Sequence, residues 1–143
     1  MARIRSADTK PERIVRSWLH GAGLRFRLHA GDLPGRPDIV LPRFLTAVFV
    51  HGCFWHQHRG CRHASLPKTR RAYWQAKFEA NRARDRRAVR ALRRLGWRVV
   101  TVWECELSRR EDVARRLTLR FSSVLAARRR PQSAAAARTS AGL

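Results

Sequence analysis

A mixed β-sheet flanked by helices, an α/β fold, is what this sequence predicts, and three observations carry the prediction. Thr9-Lys10-Pro11-Glu12 has the form of a helix-capping box ahead of an amphipathic run. Asp38 to Leu41 and Phe44 to Val50 are short apolar runs joined by Pro42-Arg43, the pattern of a β-hairpin. Arg70 to Leu95 lacks Gly and Pro, and beyond Gly96 the chain enters Trp97 to Trp103, its strongest strand-like run. The element order is therefore α-β-β-β-α-β-α, in which strands and helices alternate enough to make one sheet with helices packed on it.

The first helix is expected from about Lys10 to Gly21, with Ile14, Val15, Trp18 and Leu19 at helical spacing. Gly21 and Gly23 stop it, and Leu24 to Leu28 alternates as a strand does. Gly31 to Pro37 is turn chemistry and leads into the hairpin. In the long helix Trp74, Phe78, Val89, Leu92 and Leu95 form one apolar stripe, interrupted by Asn81 and Asp85. Those two polar residues either face a site as hydrogen-bond partners or mark a solvated break in the stripe. The strand Trp97 to Trp103 is expected at the centre of the sheet, and a last helix from about Ser108 to Phe121 closes the core. Residues 1–126 then form the domain. Residues 127–143, ARRRPQSAAAARTSAGL, have the low complexity of a disordered basic tail.

The chain has 143 residues, enough for one packed core, and 32 Lys and Arg against 10 Asp and Glu give a net charge of +22. Such an excess points to a polyanionic partner. No apolar run approaches the roughly 18 residues of a spanning helix and no signal-peptide pattern opens the chain, so nucleic acid is favoured over a membrane surface. Arginine dominates the basic residues, and its planar fork suits phosphate and guanine. A GC-rich genome accounts for part of the arginine excess but not for the scarcity of acids. Three cysteines are an odd number for a disulfide framework and indicate thiols in a reducing compartment, used for metal, catalysis or burial.

Val50 to Cys61, VHGCFWHQHRGC, holds three of the six histidines and two of the three cysteines. Cys53, His58 and Cys61 are separated by four and two residues, and Cys105 ends the last strong strand. Together they make a Cys₃His set that suits tetrahedral zinc, a structural ion that would staple the loop to the sheet. Three unrelated cysteines are the alternative. His51 and His56 are not needed for that tetrahedron; they are either surface histidines or groups for proton transfer near neutral pH.

With LPGRPD at Leu33 to Asp38, HGCFWH at His51 to His56 and GWRVVTVWEC at Gly96 to Cys105, the chain resembles the very short patch repair endonucleases, the Vsr family, over roughly Arg3 to Arg120. The resemblance implies a restriction-endonuclease-like fold. It also implies magnesium-dependent nicking of double-stranded DNA on the 5′ side of the thymine in a T:G mismatch, the mark of 5-methylcytosine deamination. Asp38 corresponds to the catalytic aspartate and magnesium ligand, and the backbone carbonyl of Val50 to a second ligand. His56 corresponds to the essential histidine, with His51 and Glu12 at further active-site positions. Glu12 already has a structural task in the capping box, and both roles are compatible.

The zinc ligands implied by the resemblance fall on Cys53, His58, Cys61 and Cys105. Phe54, Trp55 and Trp74 correspond to an aromatic wedge inserted into the duplex beside the mismatch; for Trp74, placement in the core is the alternative. A monomer in the bacterial cytoplasm at the nucleoid is implied, with no membrane and with contact to mismatch-repair proteins. Family members carry a longer segment before the position of Glu12 that grips DNA, so either weaker DNA affinity is expected here or Met1 is a misplaced start. Two other readings stand beside this one: a related nicking nuclease with a different sequence preference, and a non-catalytic zinc-stapled DNA-binding protein. Pure binding does not require the Asp38, His51 and His56 set.

Overall fold

Helix α1, Lys10–Gly21, begins where the capping box places it in the computed structural model, which describes residues 8–129. Thr9 Oγ1 accepts the Glu12 N–H at 3.4 Å, and Glu12 Oε2 accepts the Thr9 N–H at 3.3 Å. Two N–H groups that the first helical turn leaves without partners are thereby satisfied. The helix buries Glu12, Val15 and Leu19.

Strand β1 is only Arg27–Leu28, shorter than the alternation of Leu24 to Leu28 suggests. Leu24 is buried and Phe26 packs against the core, so the alternation is real, but only Arg27 and Leu28 find partners, opposite Val40 and Ile39. Strands β2, Ile39–Leu41, and β3, Thr46–His51, form the expected antiparallel pair, linked by a 3₁₀ turn at Pro42–Phe44. Strand β4, Arg98–Trp103, lies parallel to β3, from Thr46 opposite Arg98 to His51 opposite Trp103. A parallel pair needs a long crossover, and helix α2, Arg71–Arg94, supplies it.

The sheet order is β1-β2-β3-β4, which corrects the expectation that β4 is central. Among the described residues β4 pairs with β3 alone; β2 and β3 are the strands buried on both faces. Their residues divide by parity, as the period of two requires. Ile39, Leu41 and Val48 join Val15 and Leu19 of α1, together with Leu117, Phe121 and Val124, on one face. Val40, Ala47 and Phe49 meet Ala88 and Leu92 of α2 on the other. The valines of β4 are apolar because they reach both layers from the edge: Val100 and Val102 pack with the first group and Val99 with the second.

The apolar stripe of α2 runs through Phe78, Ala88 and Leu92, and Leu95 does not continue it. Leu95 is 61% exposed. It caps the helix, and Gly96, at φ +90°, turns the chain toward β4 with Leu95 left outside. At the C-terminal end a 3₁₀ turn, Glu104–Leu107, precedes α3, Arg110–Arg120, so the last helix starts later than Ser108. Helix α4, Ser122–Arg128, then buries Val124, which carries ordered structure across the boundary expected at residue 126. The remainder of the expected tail, from 130 onward, lies outside the described residues. Among the described residues no helix is long and apolar enough to cross a membrane.

Gly35 fixes how closely α2 approaches the turn before β2. Its φ is +75°, and a Cβ placed there would lie 2.4 Å from the Ala88 methyl and 3.3 Å from the Phe49 ring. Gly35→Ala is therefore expected to destabilise the fold by about 2–4 kcal/mol through overpacking and left-handed backbone strain. Urea denaturation measures this, and a cost below about 1 kcal/mol would show that the contact relaxes freely.

Candidate active site

Asp38 stands at the threshold of β2, where Val50 of the neighbouring strand donates its N–H to Asp38 Oδ2 at 2.7 Å. Burial pushes the Asp38 carboxyl up to about 6; the Val50 hydrogen bond opposes this, and the nearby Glu12 carboxylate adds to it. Glu12 is buried, and its two oxygens are used differently. Oε2 caps α1, while Oε1 has no hydrogen-bond partner and lies 3.5 Å from Nε2 of His29. Donor atoms of Glu12, His29 and Asp38 all lie within 4.8 Å of one another. A buried carboxylate with an orphaned oxygen beside a half-buried one fits a cation: one ion would answer both the repulsion between the acids and the missing partner.

Of the expected histidines, His51 ends β3 and His56 lies on the loop that leaves it. The rings of His51 and His56 stack at 3.8 Å with 13° between their planes, and His56 Nδ1 meets Asp85 Oδ2 at 2.7 Å. Burial, then the proximity of His56, holds His51 down at about 4 against the opposing pull of Asp85, so its imidazole is neutral at pH 7. His56 acts on the charge of Asp38, which makes the two groups neighbours. Their close ligand partners differ all the same: Asp38 groups with Glu12 and His29, and His51 and His56 group with Asp85.

Cys53, His58, Cys61 and Cys105 converge as their spacing predicts, with donor atoms within 4.8 Å of one another. His58 Nδ1 lies 3.7 Å from Cys53 Sγ and 3.4 Å from Cys105 Sγ. Sulfur and nitrogen ligands of a tetrahedral zinc-sized ion are separated by about 3.6 Å. Burial raises the Cys53 thiol to about 12, and Cys105 and Cys61 contribute to the rise, so thiolates gathered here call for a cation. Trp103 stacks on the His58 ring at 4.0 Å, and Cys105 donates its N–H to Cys53 Sγ.

Phe54, Trp55 and Trp74 form one half-buried aromatic cluster resting on buried Phe78. Trp74 is thus neither simply core nor free. The two polar residues of α2 both face the loop: Asn81 Nδ2 donates to the Trp55 carbonyl at 3.1 Å, and Asp85, one turn later, holds His56. Beside them opens a cleft of about 700 Å³ between the loop, α2 and the end of β4, with Arg82, Arg86, Arg90 and Arg93 along one wall. That wall is suited to phosphate.

Two residues escaped the sequence reading. His29 joins Asp38 only through the β1–β2 register, so no local motif announces it. Glu106 is buried, accepts the Trp103 N–H at 3.0 Å and pairs with Arg120 at 2.9 Å, anchoring the turn that carries Cys105. Its three-residue offset from Trp103 is the form of a cap, a signal the sequence did offer.

Comparison with known proteins agrees with this geometry. The family described as DNA mismatch endonuclease Vsr matches residues 1–62. The chain is 60% identical to the type II nicking enzyme V.XorIIP of Xanthomonas oryzae pv. oryzae over 76% of this chain and 79% of the relative. It is 46% identical to the DNA mismatch endonuclease Vsr of Escherichia coli K12 over 79% of this chain and 72% of the relative. In fold it is similar to the homing endonuclease I-Bth0305I catalytic domain, with a TM-score of 0.53 at 19% identity, covering 81% of this chain and 97% of that domain. The mixed sheet with flanking helices is therefore an endonuclease fold, and the chain belongs to the Vsr family of DNA endonucleases, enzymes that nick their substrate.

Proposed function

We propose that this endonuclease nicks double-stranded DNA on the 5′ side of the thymine in T:G mismatches left by 5-methylcytosine deamination, and so initiates very short patch repair. One observation carries the reading: Asn81 and Asp85, one helical turn apart, hold the consecutive residues Trp55 and His56. An aromatic group suited to entering a duplex and an imidazole suited to proton transfer are thereby fixed to one rigid helix. A mismatch lowers the cost of unstacking, so Phe54, Trp55 and Trp74 seat there more readily than in paired DNA.

In this reading Asp38 and the Val50 carbonyl hold magnesium, with Glu12 behind them. The ion supplies Lewis acidity to the scissile phosphate and lowers the pKa of an attacking water. Asp85 fixes His56 through Nδ1, which leaves Nε2 to move a proton or hold the phosphate. Neutral His51 supports the His56 ring by stacking. Cys53, His58, Cys61 and Cys105 hold a structural zinc that fastens the loop to the end of β4. The protein acts as a monomer on DNA.

The test is a nicking assay on T:G and fully paired duplexes of the same sequence, with varied flanks. Easier unstacking by about 3 kcal/mol predicts faster nicking of T:G by about 100-fold. Equal rates on both duplexes would favour a second reading, sequence-directed nicking of paired DNA, which the names of the relatives called type II nicking enzymes support.

A further inference from the structure

We propose that His29 adds an imidazole donor to the cation site of Asp38 and Glu12, so that this site takes first-row transition ions such as Mn²⁺ in preference to Mg²⁺. The inference rests on the reading of Asp38 as the metal-binding acid and goes beyond it in naming a third side-chain ligand, beside Asp38 and Glu12, and the class of ion it selects.

The strand register brings the residue there. Leu28 lies opposite Ile39, and one step further the His29 N–H reaches the Asp38 carbonyl at 3.0 Å. His29 holds a left-handed backbone at φ +48°, uncommon for a side chain other than glycine, and Ala30 bonds to the Pro37 carbonyl immediately after it. The turn thus imposes a conformation that the ladder on either side secures. Its outcome is that Nε2 lies 3.5 Å from Glu12 Oε1, an oxygen on a side chain only 2% exposed and without a hydrogen-bond partner.

That separation is long for a hydrogen bond between a ring nitrogen and a carboxylate. It suits two ligands of one ion: donors about 2.1 Å from a shared cation lie about 3.0–3.5 Å apart at ordinary coordination angles. The corresponding atom of Asp38 lies within 4.8 Å of both. At 40% exposure the His29 side chain also leaves the ion an open approach from solvent.

Ligand chemistry then decides which ion is preferred. Mg²⁺ is hard, favours oxygen and keeps several waters, so an imidazole adds little to its binding. First-row transition ions accept nitrogen readily, in the order Mn²⁺ < Fe²⁺ < Co²⁺ < Ni²⁺. One nitrogen and two carboxylate donors therefore tilt the site toward the transition series.

The experiment uses the zinc-loaded full chain without DNA and titrates Mn²⁺ by electron paramagnetic resonance, with Mg²⁺ as competitor. Pulsed measurements report nitrogen coupled to the bound Mn²⁺. His29→Asn removes the imidazole and tolerates the left-handed backbone, which protects the fold. It should abolish the nitrogen coupling and weaken Mn²⁺ by about tenfold or more, with Mg²⁺ changed by less than about twofold. Mn²⁺ binding that Asp38→Asn abolishes but His29→Asn leaves intact would overturn the role of His29 and preserve Asp38 as the metal-binding acid. Binding insensitive to both variants would overturn both. Absence of Mn²⁺ binding in the wild type would overturn the three-donor site, and the nicking assay would judge Asp38 separately.

Discussion

Asp38→Asn is expected to reduce nicking by about 10³-fold or more while leaving the fold intact. The asparagine oxygen can still accept the Val50 N–H, so the join between β2 and β3 survives; the anionic oxygen that, in the proposed reading, would hold the catalytic cation does not. In that reading several kcal/mol of transition-state stabilisation would depend on the ion, and each 1.36 kcal/mol is a factor of ten in rate. Burial already resists the Asp38 charge, raising its pKa to about 6, so the variant should melt at or above the wild-type temperature in the absence of divalent ions. Single-turnover nicking and thermal melting together make the measurement. Nicking within about tenfold of wild type in a folded variant would remove Asp38 from the chemistry.

The second large effect is expected at the Cys₃His site. Cys105→Ser, or extraction of the ion by a chelator, should lower the melting temperature by about 10 °C or more and abolish nicking. Of the four candidate ligands Cys105 is the one outside the loop, so under the proposed reading it would tie the loop to the end of β4 through the ion. Without that tie His58 loses its register over Trp103, and the loop that carries Trp55 and His56 is left to the bonds from Asn81 and Asp85, the aromatic packing on Phe78 and the Cys105 N–H. Elemental analysis should find one equivalent of zinc in the wild type and none in the variant. A zinc-free wild type that nicks normally would contradict the assignment.

The sequence was most informative where chemistry is local. The Thr9 and Glu12 exchange, the stop after Gly21, the turn before Asp38 and the spacing of Cys53, His58 and Cys61 are each settled within a few residues, and the structure reproduces them. Long-range placement was less legible. The apolar strength of β4 reflects contact with both helical layers from an edge, which composition cannot distinguish from a central position. Leu95 fits the period of α2 and still lies outside, because Gly96 redirects the chain before its side chain meets the core. His29 is invisible to any local pattern, since its neighbour in space is supplied by strand pairing. The last two residues of α4, Ala127 and Arg128, read as the start of the tail because alanine and arginine there carry no apolar pattern.

A nuclease is a hazard to the genome that encodes it, and the grip of α2 on the loop bears on that hazard. Trp55 and His56 are joined by one peptide bond and pinned to adjacent turns of a helix of 24 residues. Under the proposed reading, any shift that an intact duplex imposes on the tryptophan is passed directly to the imidazole. Recognition and cleavage then fail together, and the same short piece of backbone that licenses the cut at a lesion restrains it everywhere else.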